Sequence, residues 1–207
     1  MLKKSLKKQL KNLKICNLNY LIIFKKLMKN SNLFHAMAAG NKIPEEISII
    51  IEISKNSRVK YEMNKKFGII EVDRILHTPI PYPFSYGLIP QTWNEYDNDP
   101  LDAIVIASES LIPGCVVNCR TIGMLSVDDS GERDDKILAV PLDDPYFANI
   151  KQFEDIPTKD REDIQYFLEH YKDLEKGKEV IVKSWDNAEK AKEFITECVQ
   201  CYKNKFS

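Results

Sequence analysis

Residues 94–106 read NEYDNDPLDAIVI. Three aspartates, Asp97, Asp99 and Asp102, stand directly before an apolar run whose length and β-branched content predict a buried strand. Like charges crowded beside an apolar wall are costly to keep ionised unless a cation neutralises them. The stretch therefore predicts a strand that enters the core with a cation site at its mouth.

Runs of the same kind lie on both sides. EISIIIEIS (46–54), RVKYEM (58–63), GIIEVDRIL (68–76), LDAIVIAS (101–108), VVNCRTIGML (116–125) and KILAVPL (136–142) are short, rich in β-branched residues and bounded by Gly, Pro, Asn or Asp. Helical spacing appears only afterwards. In TKDREDIQYFLEHYKDLEKG (158–177), Ile164, Phe167, Leu168 and Tyr171 share one face and Gly177 offers a stop. In NAEKAKEFITECVQCYKNKF (187–206), Ala188, Ala191, Ile195, Cys198 and Tyr202 recur at helical intervals, with Asp186 and Glu189 at capping-box spacing ahead of them. Strands first and helices last predict a mainly β chain with flanking helices (α+β), built as a small closed barrel with the helices packed outside.

The chain of 207 residues, 43% apolar and 10% aromatic, suits one domain. Its longest apolar runs, LIIF and ISIIIEI, fall far short of the ~18 residues needed to cross a bilayer. The net charge of −1 conceals an asymmetry: residues 1–30 carry nine lysines and no acid, which leaves a balance of −10 on the remainder. The leader lacks Arg and has an apolar centre broken by Lys25 and Lys26, a poor match to a secretory or organellar signal even with AMA at 36–38. Residues 1–39 are expected to be a disordered basic arm, or an upstream extension ahead of a start at Met28 or Met37, and residues 40–207 a single domain. Five cysteines without framework spacing fit a reducing compartment, and Cys198 and Cys201 lie on one helical segment where a zinc knuckle would need a turn.

Alternation along a strand puts Lys60 and Glu62 on one face, and Asp97 and Asp99 likewise if that segment is extended. The prolines of HTPIPYPFSYG (77–87) favour an extended chain with Tyr82, Phe84 and Tyr86 on one side. Phe84 reads as core, while Tyr82 and Tyr86 bring hydroxyls able to donate to an anion. A second acidic group, Asp128, Asp129, Asp134 and Asp135 followed by Lys136, reads by itself as a solvated hairpin turn. Beside DNDPLD it gains another meaning, because two carboxylate loops of one small barrel can converge on a shared site. Oxygen donors alone select hard ions, chiefly Mg²⁺.

DNDPLD (97–102) fits the D-x-D-P-x-D motif of family I soluble inorganic pyrophosphatases, and IEIS, VKYE, VDR, YPFSYG, the 129–136 loop and EHYKDLEKGK follow the family's order. The chain resembles the compact bacterial type of that family from about Gly40 to near its end. The resemblance implies a five-stranded OB-like barrel with helices outside and Mg²⁺-dependent hydrolysis of pyrophosphate to two phosphates by a metal-activated water. It implies metal ligands at Asp97, Asp102, Asp129 and Asp134, with Glu52, Glu62 and Tyr82 lining the cavity. Asp99 matches the position that takes the proton of the attacking water, and Lys60, Arg74, Tyr86, Lys136, Tyr171 and Lys172 match substrate-binding positions. It further implies a cytoplasmic homohexamer, several Mg²⁺ per site, and a role in recycling phosphate and driving pyrophosphate-releasing biosynthesis.

Two other classes fit parts of the pattern. OB-like barrels bind single-stranded nucleic acid through basic grooves, which a body of −10 opposes. A structural cation-binding protein would explain the carboxylates but give the lysines and arginine nothing to hold. Hydrolysis of another phosphoanhydride is the nearest enzymatic alternative.

Overall fold

The computed structural model describes residues 32–206. The chain runs from helix α1 (Leu33–Ala36) through strands β1 (Glu46–Ile53), β2 (Val59–Asn64), β3 (Ile69–Ile75), β4 (Ser85–Leu88), β5 (Asp102–Val105), β6 (Val116–Asp129), β7 (Glu132–Arg133) and β8 (Lys136–Pro141) to helix α2 (Thr158–His170), strand β9 (Val180–Asn187) and helix α3 (Ala188–Phe206). Five strands close a ring in the order β1, β4, β5, β8, β6 and back to β1. The β5–β8 pair is parallel and the other pairs of the ring are antiparallel.

Strand β6 is long because it pairs in turn with β1 and β9 along its length, as well as with β7 and β8. Its first part pairs with β1, Glu46 opposite Arg120, and its second part with β9, Gly123 opposite Asn187. Outside the ring, β2 and β3 form a separate antiparallel hairpin.

The apolar runs are continuous rather than alternating because the ring strands are covered on both faces. In β5 and β8, Ala103, Val105, Ile137 and Ala139 join one core with Ala191, Phe194, Ile195 and Cys198 of α3. Their neighbours Ile104, Leu138 and Val140 face a second core that holds Phe84, Ile164, Phe167 and Leu168, the apolar face of α2. At about 25 cal/mol per Å² of apolar surface, each large aliphatic side chain so buried contributes roughly 2 kcal/mol before entropy is charged.

The mainly β architecture with flanking helices, closed through five strands, matches the fold expected from the sequence, while several boundaries differ. Strands β4 and β9 were not anticipated: prolines masked the first, and the sequence reading assigns the second to no element, with Asp186 near its end expected as the cap of the last helix. Helix α2 stops at His170, well before Gly177, and Tyr171 caps it, its N–H on the Phe167 carbonyl. The last helix begins at Ala188, and Asn187 caps it by accepting from the Lys190 N–H at 3.0 Å. Asp186, expected as the cap, lies on β9, accepts from Ser126 and Ser184 and pairs with Lys190.

Packed structure also extends ahead of Gly40. Asn32 caps α1 through the Phe34 N–H, and Phe34 is buried against Tyr202 and Phe206. The expectation for residues 1–31 and for Cys16 falls outside the described residues. Within them, no helix is long and apolar enough to cross a membrane, and the four cysteines are unpaired thiols.

Candidate active site

The parallel pairing of β5 with β8 sets Asp102 opposite Lys136 at the first residues of both strands. This builds the centre of the site: Lys136 Nζ donates to Asp102 at 2.7 Å and also to Asp134, and the Tyr86 hydroxyl donates to the same Asp102 carboxylate at 2.5 Å. Lys136 is only 5% exposed, yet the two carboxylates outweigh burial and hold its ammonium well above the ordinary lysine range. Burial and the Asp102 charge keep the Tyr86 hydroxyl protonated.

A cavity of about 470 Å³ opens over this centre. One wall is the β2–β3 hairpin, with Lys60, Glu62 and Lys65; Glu52 and Asp97, Asp99 and Asp102 line a second. The end of β6 adds Asp129, the link from β7 to β8 adds Asp134, and the turn after α2 adds Tyr171 and Lys172. With Tyr82, Tyr86 and Lys136, every site residue drawn from the sequence lines the cavity except Arg74. Arg74 is engaged elsewhere, by Asp73 at 2.5 Å and Glu175 at 3.1 Å.

Asp97 and Asp99 do not share the face of an extended strand. The segment turns, with Asn98 in the left-handed region at φ 58° and the Asp99 N–H on Asp97 Oδ1 at 3.0 Å. Both carboxylates therefore reach the cavity from a tight loop that the Asn94 side chain pins at 2.9 Å. Lys60 and Glu62 do share a face and pair at 2.5 Å. The aromatic stripe also forms: Tyr82 lies 5.9 Å from Phe84 and 6.0 Å from Tyr86 between ring centroids.

The charge pattern is uneven. Burial first, then the Asp102 and Asp134 carboxylates, push Asp97 up to about 7. Burial first, then Asp102, push Glu52 up to about 8, although it accepts the Met63 N–H at 2.6 Å. Asp129 goes the other way, because the Lys172 ammonium and the Ser130 hydroxyl outweigh its burial. Among the described residues no three carboxylates, imidazoles or thiols converge on one point. Instead Lys136 stands between Asp102 and Asp134 and takes the neutralising role.

An all-oxygen donor set, in which Asp102 raises both Asp97 and Glu52, suits a hard divalent cation better than it suits a soft one. Sequence reasoning passed over Lys65, Asn98, Ser130, Glu132 and Lys178, which also line the cavity. Lys178 lies in a segment already noted, but Lys65 sits in a hairpin turn that read only as punctuation.

The chain matches the family model described as inorganic pyrophosphatase over residues 49–203. An inorganic pyrophosphatase of Haloferax volcanii is 39% identical over 176 residues, covering 85% of this chain and 99% of that protein. One from Xylella fastidiosa is 47% identical over 169 residues, covering 80% and 94%. The crystal structure of inorganic pyrophosphatase from Thermus thermophilus superposes with a TM-score of 0.78 at 38% identity, covering 81% of this chain and 97% of that one. With the ring of five strands, the carboxylate-and-lysine cavity and these matches in agreement, the chain belongs to the family I soluble inorganic pyrophosphatases of bacterial type, a family of hydrolases.

Proposed function

We propose that this chain hydrolyses inorganic pyrophosphate to two orthophosphates with Mg²⁺, using the residues of the 470 Å³ cavity. The observation that carries the reading is the meeting of both signs of charge in one cavity: the carboxylates Glu52, Asp97, Asp102, Asp129 and Asp134 line it together with Lys60, Lys136 and Lys172. A purely structural cation site has no use for the lysines, and a simple anion site none for the carboxylates.

Pyrophosphate resists attack because its negative charge repels the nucleophile, so catalysis is mainly neutralisation and positioning. Asp97, Asp102, Asp129 and Asp134 would hold Mg²⁺, whose chemistry would be to neutralise charge at the phosphoryl oxygens and to make water a stronger acid. Asp99 takes the proton of the attacking water; burial outweighs the Lys65 ammonium and raises its carboxyl, which makes it a better base. Lys60, Lys136 and Lys172 meet phosphate oxygens as point charges. Arg74 takes the same duty by leaving Glu175. Tyr86 fixes Asp102, while Tyr82 and Tyr171, kept protonated chiefly by burial, remain donors through the neutral range. Glu52 and Glu62 line the cavity and would add negative charge toward bound cations.

The same reading carries a homohexamer in the cytoplasm, residues 40–207 as the catalytic unit, and a role in consuming the pyrophosphate released by biosynthesis. Unpaired cysteines agree with a reducing compartment.

The test is phosphate release from pyrophosphate by the full chain, with and without Mg²⁺, beside Asp99→Asn and a panel of nucleotides and polyphosphate. Mg²⁺-dependent release that the variant loses by about 100-fold or more, at retained Mg²⁺ affinity, is the expected outcome. Release from nucleotides but not from pyrophosphate would give the site to another phosphoanhydride.

A further inference from the structure

Among the described residues, Lys65 is the cation on the cavity wall that pairs with Asp99, and its position is set from outside the cavity. It lies in the turn joining β2 to β3, where Asn64 Oδ1 accepts from the Lys66 and Phe67 N–H groups. The Lys65 carbonyl accepts a hydrogen bond from the Asn32 side-chain amide, while Asn32 Oδ1 accepts from the Phe34 N–H. Asn32 is 3% exposed, so this contact is built into the fold rather than laid on its surface.

The turn is shaped to receive Asn32. Gly68 has φ +68°, and a Cβ there would meet Asn32 Cα and Oδ1 at 3.0 Å, so glycine serves both the left-handed turn and the close approach. Behind Asn32, α1 is locked by Phe34 in the core beside Tyr202, and by the Gln91 side chain on the His35 carbonyl at 2.8 Å. A chain of contacts thus runs from the packed segment at 32–36, through the hairpin turn, to the side chain of Asp99.

We propose that Lys65 is a positioning residue for Asp99, and that Asn32 holds Lys65 in place for that purpose. This rests on the reading of Asp99 as the group that takes the proton from water. Lys65 and Asp99 are 37% and 45% exposed, and ion pairs so exposed contribute little to stability. What the pair provides is direction. Lys65 engages Oδ1 of Asp99, which assigns Oδ2 as the oxygen that receives the proton. The loop backbone at Asp99 is held by Asn94 and Asp97, while its side chain is held by Lys65. The hold comes from an element distant in sequence and anchored in the core.

The experiment compares the full-length wild type with Lys65→Met, Lys65→Arg, Asn32→Ala and the Asn32→Ala/Lys65→Met double variant, with kcat and KM for pyrophosphate and Tm for each. Lys65→Met is expected to lower kcat on the order of 10-fold with KM nearly unchanged, since misplacement of a reacting group is felt in the chemical step. Lys65→Arg recovers most of the loss. Asn32→Ala lowers kcat less, and has no further effect on kcat once Lys65 is Met, because the two act through one path. Wild-type kcat in Lys65→Met overturns the proposal. So does a loss confined to KM, which would make Lys65 a substrate contact, or an Asn32→Ala loss that persists undiminished in the double variant. An active wild type with an active Asp99→Asn would instead remove the reading of Asp99 on which the proposal stands, and a wild type without turnover would remove both.

Discussion

Lys136 carries more of the site's charge balance than any other single side chain. It is buried, and its ammonium is the shared partner of Asp102 and Asp134, beneath the ring of Tyr86 at 5.7 Å. Removing one member of a buried ionic group leaves the others uncompensated, which typically costs about 3–5 kcal/mol. Lys136→Met is therefore expected to lose about 100-fold or more in kcat, as a lost transition-state charge does, and to destabilise the metal-free chain by about 3 kcal/mol. Mg²⁺ should return part of that stability, since a cation can take the place of the lost ammonium; equal melting temperatures for variant and wild type without metal would remove Lys136 from this role. This residue was legible in the sequence because it closes an acidic run and falls within a matched segment. Lys65 was not, since nothing in NKKFG says which lysine turns inward; that depends on the Asn32 contact, 33 residues earlier. Arg74 was legible as a type but not in place, because its partner Glu175 is 101 residues away.

At the scale of elements, periodicity found what repeats and missed what is short. Strands β1, β5, β6 and β8 were visible as β-branched runs, and α3 as a face of Ala188, Ala191, Ile195, Cys198 and Tyr202, all buried. Strand β4 has four residues, one of them glycine, behind a row of prolines, and no pattern that short separates a strand from a turn. It nevertheless closes the ring between β1 and β5, and Gly87 is the reason it can. A Cβ at Gly87 would lie 2.1 Å from the Ile50 carbonyl oxygen and 2.9 Å from Ile51 Cα, both backbone atoms that cannot rotate away. Gly87→Ala must spread β1 from β4, at a cost of about 3 kcal/mol by analogy with overpacked cores. With a urea slope of about 2 kcal/mol per molar, the unfolding midpoint should fall by about 1.5 M at unchanged slope. A midpoint within about 0.3 M of the wild type would mean that the strands yield at little cost. Because β4 also carries Tyr86, a spread ring should weaken activity by displacing Asp102 even where the variant still folds.

Over the whole molecule, folding concentrates carboxylates that the sequence spreads over more than eighty positions, from Glu52 to Asp134, and keeping them ionised together is costly. The direction of that cost is fixed by the raised carboxyls. Glu52 moves from an ordinary 4.5 to about 8, and Asp97 from 3.8 to about 7, each first by burial and then by the neighbouring Asp102. A carboxyl raised on folding binds its proton more tightly in the folded state than in the unfolded one. Stability of the metal-free chain from these two groups is therefore present in full below about pH 4 and falls as pH rises through the window from about 4 to about 8. The slope is about 1.4 kcal/mol per pH unit for each group within its own interval, so the total is on the order of a few kcal/mol once local relaxation is allowed. A cation that binds the ionised carboxylates reverses this trend, because it stabilises the form that high pH produces. The expected result is a metal-free Tm that declines from pH 5 to pH 8 and a rise in Tm on adding Mg²⁺ that grows over the same range. Asp129 works against part of the decline, since its pairing with Lys172 lowers its carboxyl and is lost only in acid. Glu52→Gln should flatten the metal-free decline without changing the ring, because the amide keeps an acceptor for the Met63 N–H and removes the charge. If the decline is as steep in Glu52→Gln as in the wild type, the acid cost of the fold lies elsewhere than beneath the cavity.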